Sequence, residues 1–371
     1  MTNRERFKRI FRYEPIDYLP AYFFGTWKET KARWLTEGLT GDAEELLAGG
    51  NLGPQIEGMG PDWEPDIWSG HGLVNFHPIG NYPYEELSRT KEYRIYRNSL
   101  GAVIKESLTS NSIPHTIKPA LEPTRKSWEA FRRFLDPTQS NRYPADLPQL
   151  AQAYSAVDRP LVFMGGSLYG YLRDWMGVEN ISLLMYDDPE LMREMVSYMA
   201  DFFMAVYEPV LRYVTFDLCY IFEDCCGANG PLFSPRFYNE FFSEPYQRLF
   251  KFYRDRGVEF IMLDSDGYVE PMITCWLDSG VDILFPMEIG TWNTDLCALR
   301  KQYGKRLRMF GGVNKHLISQ GGPALERHLD SYKCIVQEGG FLPIPDHRIP
   351  PECSYQKFLA YLETFNRIYN G

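Results

Sequence analysis

From residue 126 onward the chain alternates short uninterrupted apolar runs with longer stretches whose apolar residues recur every three or four positions. PLVFMGG, FDLCYIFED, VEFIML, VDILFP, LRMFGG and GFLPIP are the runs, each the length of a strand buried on both faces. Between them, LMREMVSYMADFFMAVYEPVLRY and SPRFYNEFFSEPYQRLFKFYRDRG carry helical stripes. In the second, Ser234 reads as the cap, Pro235 as the first turn and Gly257 as the terminator. SWEAFRRFL predicts a helix ahead of the first run, and TNRERFKRIFR predicts one at the N-terminus. There Thr2 can cap, Glu5 sits three residues on, and Phe7, Ile10 and Phe11 form the buried stripe. YLPAYFF and GLVNFHP bring the count to about eight strands of the parallel kind.

Residues 28–48 predict two short helices. An aromatic-, Gly- and Pro-rich stretch, about residues 50–125, then interrupts the alternation and reads as an insertion folded over the main body. Within it, EYRIYRNSLGAVIKES predicts a hairpin turning near Asn98–Gly101. Repeated strand–helix units specify either an α/β barrel or a doubly wound open sheet. No GxGxxG opens a helix, and strand count and length favour the (β/α)8 TIM barrel, taken as one domain over residues 1–371.

Composition narrows the function. Hydrophobic residues at 44% and charged residues at 24% are those of an ordinary globular chain. Aromatics at 15% suit a pocket for flat or apolar ligands as well as a core. A net charge of −10 opposes nucleic acid and anionic membranes. The N-terminus lacks the apolar run of a secretory signal, and no stretch has the roughly eighteen apolar residues of a membrane helix. Seven cysteines without framework spacing suit a reducing compartment, so a cytoplasmic location is expected.

In a barrel the active site lies at the C-terminal ends of the strands. Those ends carry Glu223-Asp224-Cys225-Cys226, Asp264-Ser265-Asp266-Gly267, Met287-Glu288, Gly311-Gly312-Val313-Asn314 and Asp346-His347-Arg348. They describe an acidic pocket in which mutual repulsion would raise some carboxyl pKa values. Asp264, Asp266, His347 and Glu223 are the candidate catalytic residues. Asp224, Glu288, Asn314, Asp346, Phe24 and His77 are the candidate substrate contacts, and His71 is also expected near the mouth. Each has a plainer reading: Asp-X-Asp-Gly is often a turn, Asp266 can cap a helix starting near Tyr268, and Cys225 and Cys226 read as small buried residues. HExxH, CxxC and GxSxG are absent.

TNRERFKRIFRYEPIDYLP, LRDWMGVENISLLMYDDPELMREM, GPLFSPRFYNEFFSEPYQRLFKFYRDRGVEFIMLDSDG and FGGVNKHLIS, in that order, resemble the uroporphyrinogen decarboxylase superfamily over nearly the whole chain. The resemblance implies a (β/α)8 barrel with a deep cleft at its C-terminal mouth. It also implies one of two activities, cofactor-free porphyrinogen decarboxylation or zinc-assisted methyl transfer to a corrinoid. True decarboxylases of the family carry an Arg-Gln-Ala-Gly-Arg motif after the first strand. Here that place reads FFGTWKETKARW, where Lys28 and Arg33 are poor substitutes. The methyltransferase branch ends a strand with His-X-Cys-Gly, two zinc ligands. Here Asp264 and Asp266 occupy those places, Gly267 is kept, and PIPDHRIPP lacks the third ligand, a cysteine. Asp264, Asp266 and His347 would make an oxygen-rich set for a divalent metal, zinc included. The alternative is metal-free acid–base work on a hydroxyl or amine.

The expectation is methyl transfer from a small methoxy or methylamine-type substrate to a corrinoid on a partner protein, by a homodimer. Decarboxylation of a porphyrinogen or smaller acid, with no cofactor, is the second reading, and a non-catalytic ligand-binding barrel is the third.

Overall fold

In the computed structural model, residues 1–22, 25–43, 47, 67–109 and 114–371 are described. Phe24 lies outside them. The fold is a (β/α)8 barrel carrying the expected insertion.

The insertion forms an antiparallel sheet, β1 (Glu85–Arg89), β2 (Tyr93–Arg97), β3 (Val103–Ser107) and β4 (His115–Lys118), in that order. The predicted hairpin is β2–β3, registered from Tyr93↔Ser107 to Arg97↔Val103. Its turn is held by Asn98, whose Oδ1 accepts the Leu100 and Ala102 N–H groups, each at 3.0 Å.

The barrel wall has six regular parallel strands: β5 (Val162–Gly166), β6 (Leu218–Phe222), β7 (Phe260–Asp264), β8 (Ile283–Met287), β9 (Arg308–Val313) and β10 (Phe341–Pro345). They pair in chain order, and β5, β7, β8 and β10 are buried throughout, as uninterrupted apolar runs require. The two earlier expected strands are irregular. YLPAYFF leads to a single parallel bridge, Thr26 to Ile349, just past β10. GLVNFHP forms no regular strand, because Asn75 N–H turns to the Arg142 carbonyl at 2.7 Å and Pro78 has no N–H to offer a ladder. Arg142, itself buried, binds the carbonyls of Asn75, His77, Phe134 and Asp136 and so ties this segment to the chain ahead of β5.

The N-terminal helix α1 (Asn3–Arg12) begins as predicted, with Thr2 Oγ1 accepting the Glu5 N–H at 3.1 Å. Its Phe7 and Phe11 close the barrel floor, lying 6.2 and 6.0 Å from the Phe310 ring, with Phe11 5.9 Å from Phe260. Ser234 caps its helix by accepting the Phe237 N–H, and Gly257, at φ +89°, follows that helical stretch's end at Arg254. No described helix is long and apolar enough to cross a membrane.

Candidate active site

Side chains alternate along a strand, so Phe260 and Met262 of β7 share a face with Asp264. Phe260 packs on the floor helix, so that face is the barrel interior and Asp264 ends its row at the top. Tyr220 of β6 stands beside it, 6.3 Å ring to ring from Phe285, and its hydroxyl donates to Asp264 Oδ2. Tyr220 is 1% and Asp264 6% exposed, so this is a hydrogen bond shielded from bulk water. The Asp264 main chain is fixed as firmly: its carbonyl accepts the Glu223 and Asp224 N–H groups at 2.9 and 3.0 Å.

Asp266 points elsewhere. The next helical turn starts at Glu270, so Asp266 does not cap it; its Oδ2 instead lies 3.5 Å from His347 Nε2, at the end of β10. This pair forms a half-exposed rim. The Trp27 ring lies 5.9 Å from that of His347, and the Arg348 guanidinium 5.7 Å from Trp27. Asp224, at φ +40°, takes Arg173 Nη1 at 3.2 Å on Oδ2. Burial raises the Asp224 carboxyl pKa, Arg173 opposes that, and the charge of nearby Asp266 adds to it. Gly267 lets the loop pass: at φ +80° a Cβ there would come within 2.6 Å of the Gly227 backbone.

The remaining strand-end carboxylates brace the mouth. Glu223 is buried with Oε1 accepting the N–H of Leu168 at 3.0 Å and of Tyr169 at 3.3 Å, and Oε2 that of Gly170 at 3.3 Å. It therefore serves the start of the helix Gly170–Met176. Burial pushes its carboxyl up to about 7 against the pull of those N–H groups. Glu288 binds Lys315 Nζ at 2.7 Å and the Gly267 N–H at 3.0 Å. Burial works against its charge, yet Lys315 holds it below the ordinary glutamate range. Asp346 is fully buried and accepts the N–H of Gly290 at 2.8 Å and of Lys315 at 3.0 Å, with burial raising its pKa. Asn314 caps the helix Lys315–Gln320 through its Oδ1.

The acidic pocket read from sequence is thus largely resolved into separate pairings. Raised carboxyl pKa values at Glu223, Asp224 and Asp346 come first from burial, and repulsion between neighbours enters behind it, from Asp266 and Asp174 at Asp224 and from Glu288 at Asp346. His77 is exposed, 4.3 Å ring to ring from Phe76 and 6.4 Å from Tyr171. His71 is not at the mouth, because its Nε2 meets the carbonyl of Val162, the first residue of β5, at 2.6 Å. Cys225 and Cys226 are buried, as their plainer reading held.

The proposed metal trio does not assemble. Asp264 is engaged with Tyr220 while Asp266 faces His347, and among the described residues no three of His, Cys, Asp or Glu are placed to share an ion. Zinc coordination by these residues therefore does not fit this geometry. Arg33 is turned to Glu37 at 2.6 Å and to the Pro351 carbonyl at 2.8 Å, so it is not offered to a substrate's carboxylates. Tyr220, Lys315 and Arg173 were not singled out by the sequence. The signal for Tyr220 was its register, one inward position below Phe222, which pairs with Asp264.

The sequence profile of the uroporphyrinogen decarboxylase (URO-D) family matches residues 113–368. No curated protein matches the chain by sequence. Among solved structures, a methyltransferase from Methanosarcina mazei superposes with a TM-score of 0.56 at 15% identity, covering 99% of each chain, a likeness of fold.

Proposed function

Because the chain belongs to the uroporphyrinogen decarboxylase family, we propose that it is a methyltransferase whose proton-handling group is Asp264, acting on a small methoxy or methylamine-type substrate. The observation carrying this reading is the buried Asp264–Tyr220 contact at the top of the barrel interior. The arginine pair of decarboxylases is missing from FFGTWKETKARW, and Arg33 is engaged elsewhere, which favours a substrate without several carboxylates.

A methyl group leaves oxygen or nitrogen poorly unless the departing atom is protonated. As the C–O or C–N bond breaks, its electron pair stays on the heteroatom, which takes a proton from the Asp264 carboxyl. The methyl carbon passes to an incoming nucleophile. Tyr220 orients the carboxylate that results and stabilises it by donating its hydroxyl proton in a hydrogen bond. We propose that the nucleophile is a corrinoid carried by a partner protein. The half-exposed rim of Trp27, Asp266 and His347 suits an acceptor presented from outside rather than one held within the barrel.

The test is to mix purified protein with a reduced corrinoid protein and a panel of methyl ethers and methylamines, following methyl–cobalt absorbance. A parallel arm supplies uroporphyrinogen and measures carbon dioxide. Methyl–cobalt formation from one donor class, without carbon dioxide release, is expected. Carbon dioxide without methyl–cobalt would give the barrel to the decarboxylase reading, and silence in both arms would remove the proposal.

A further inference from the structure

Away from the mouth, two outer helices bring a pair of thiols together. Helix Leu296–Tyr303, ahead of β9, carries Cys297, and helix Lys333–Glu338, ahead of β10, carries Cys334. Their sulfurs are 3.6 Å apart, and both lie against the Ser331 carbonyl, at 3.5 and 4.0 Å. Cys297 is fixed in the first turn of its helix, where Asp295 accepts the Cys297 and Ala298 N–H groups. A disulfide needs the sulfurs at about 2 Å, a closure within reach of small side-chain rotations. Access is selective. Cys334 is exposed and Cys297 half-buried, whereas the other five cysteines are buried.

We propose that Cys297 and Cys334 form a reversible disulfide when the protein meets a low-molecular-weight disulfide such as glutathione disulfide. The Cys334 thiolate attacks one sulfur of the reagent, releasing one glutathione and leaving a mixed disulfide. The Cys297 thiolate then attacks the Cys334 sulfur and releases the second glutathione. The two protein thiols lose two protons and two electrons, which end on the two glutathione thiols. Burial first, then the neighbouring Cys334, pushes the Cys297 thiol up to about 12, which makes exposed Cys334 the first to react. The bond would join residues 37 positions apart and enclose β9 with Asn314 and Lys315, the latter holding Glu288 at the mouth. This inference does not depend on the proposed reaction.

The test incubates the full-length protein with glutathione disulfide, maps peptides without reduction, titrates native thiols and records thermal melts. The wild type should yield one cross-link joining the two cysteine peptides, lose two reactive thiols, and melt on the order of 5 °C higher. Cys297→Ser should instead keep glutathione on Cys334 with no rise in melting temperature, and Cys334→Ser, altered at an exposed position, should keep its Cys297 thiol unmodified. A wild type that keeps glutathione on Cys334 with Cys297 still open to alkylation would overturn the proposal. So would a cross-link appearing only in denatured protein.

Discussion

Replacing Tyr220 by Phe removes one hydroxyl from a site where donor and acceptor are both nearly dry, at 1% and 6% exposure. Leaving a buried acceptor without its donor costs about 2 kcal/mol, since water cannot fully replace the lost hydroxyl. The rim pair of His347 and Asp266 is a built-in contrast. It is 3.5 Å long and 20% and 39% exposed, so its coupling should stay under about 0.5 kcal/mol. The measurement is a double-mutant cycle by urea unfolding at pH 7, with wild type, Tyr220→Phe, Asp264→Ala and the combined variant. A matching cycle uses His347→Ala and Asp266→Ala. The first cycle should return a coupling of about 2 kcal/mol with unchanged denaturant slopes, and the second close to none. If the Tyr220–Asp264 coupling fell below about 0.5 kcal/mol, or only matched the rim pair, the reasoning about a buried, oriented carboxylate would be refuted.

Two further predictions concern the bracing carboxylates. Burial raises the Glu223 carboxyl from 4.5 to about 7, so its protonated form is the one the fold favours. The stability it contributes is fully present below the unfolded value and is lost as pH rises through the folded one. That amounts to roughly 3 kcal/mol across this window, and Glu223→Gln should flatten the dependence in pH-resolved unfolding. Lys315→Met leaves Glu288 buried without its 2.7 Å cation and should cost about 3 kcal/mol at neutral pH. Glu288 has the opposite sign, because Lys315 lowers its folded pKa: its stabilisation is present above the unfolded value and lost as pH falls through the folded one. The methionine variant should therefore show a smaller acid-side loss than the wild type in the same assay.

Much of the framework was legible because it follows from periodicity. The six apolar runs from PLVFMGG onward became β5 to β10, and the Phe7-Ile10-Phe11 stripe became the floor. GLVNFHP was read as a strand with the others but lost its ladder to Arg142, a partner that local pattern does not reveal. In the site, residue type gave position without direction. A carboxylate at a strand end can end an inward row of the barrel, as Asp264 does beside Tyr220, or serve the bare N–H groups of the next helix, as Glu223 does. The partner of Asp266 comes from the last strand, so only the closed topology identifies it. Tyr220 reads as one more core aromatic until register sets its hydroxyl beside Asp264.

The central claim is that Asp264 delivers the proton to the departing atom. It is tested by the single-turnover rate of methyl transfer from a series of aryl methyl ethers, ranging from unsubstituted to nitro-substituted, with wild type and Asp264→Asn. The variant should be slower by about 10²–10⁴ for ethers whose phenol is a poor leaving group, and nearly restored for nitrophenyl ethers, which depart without a proton. A loss of the same size across the whole series, or no loss at all, would contradict the account.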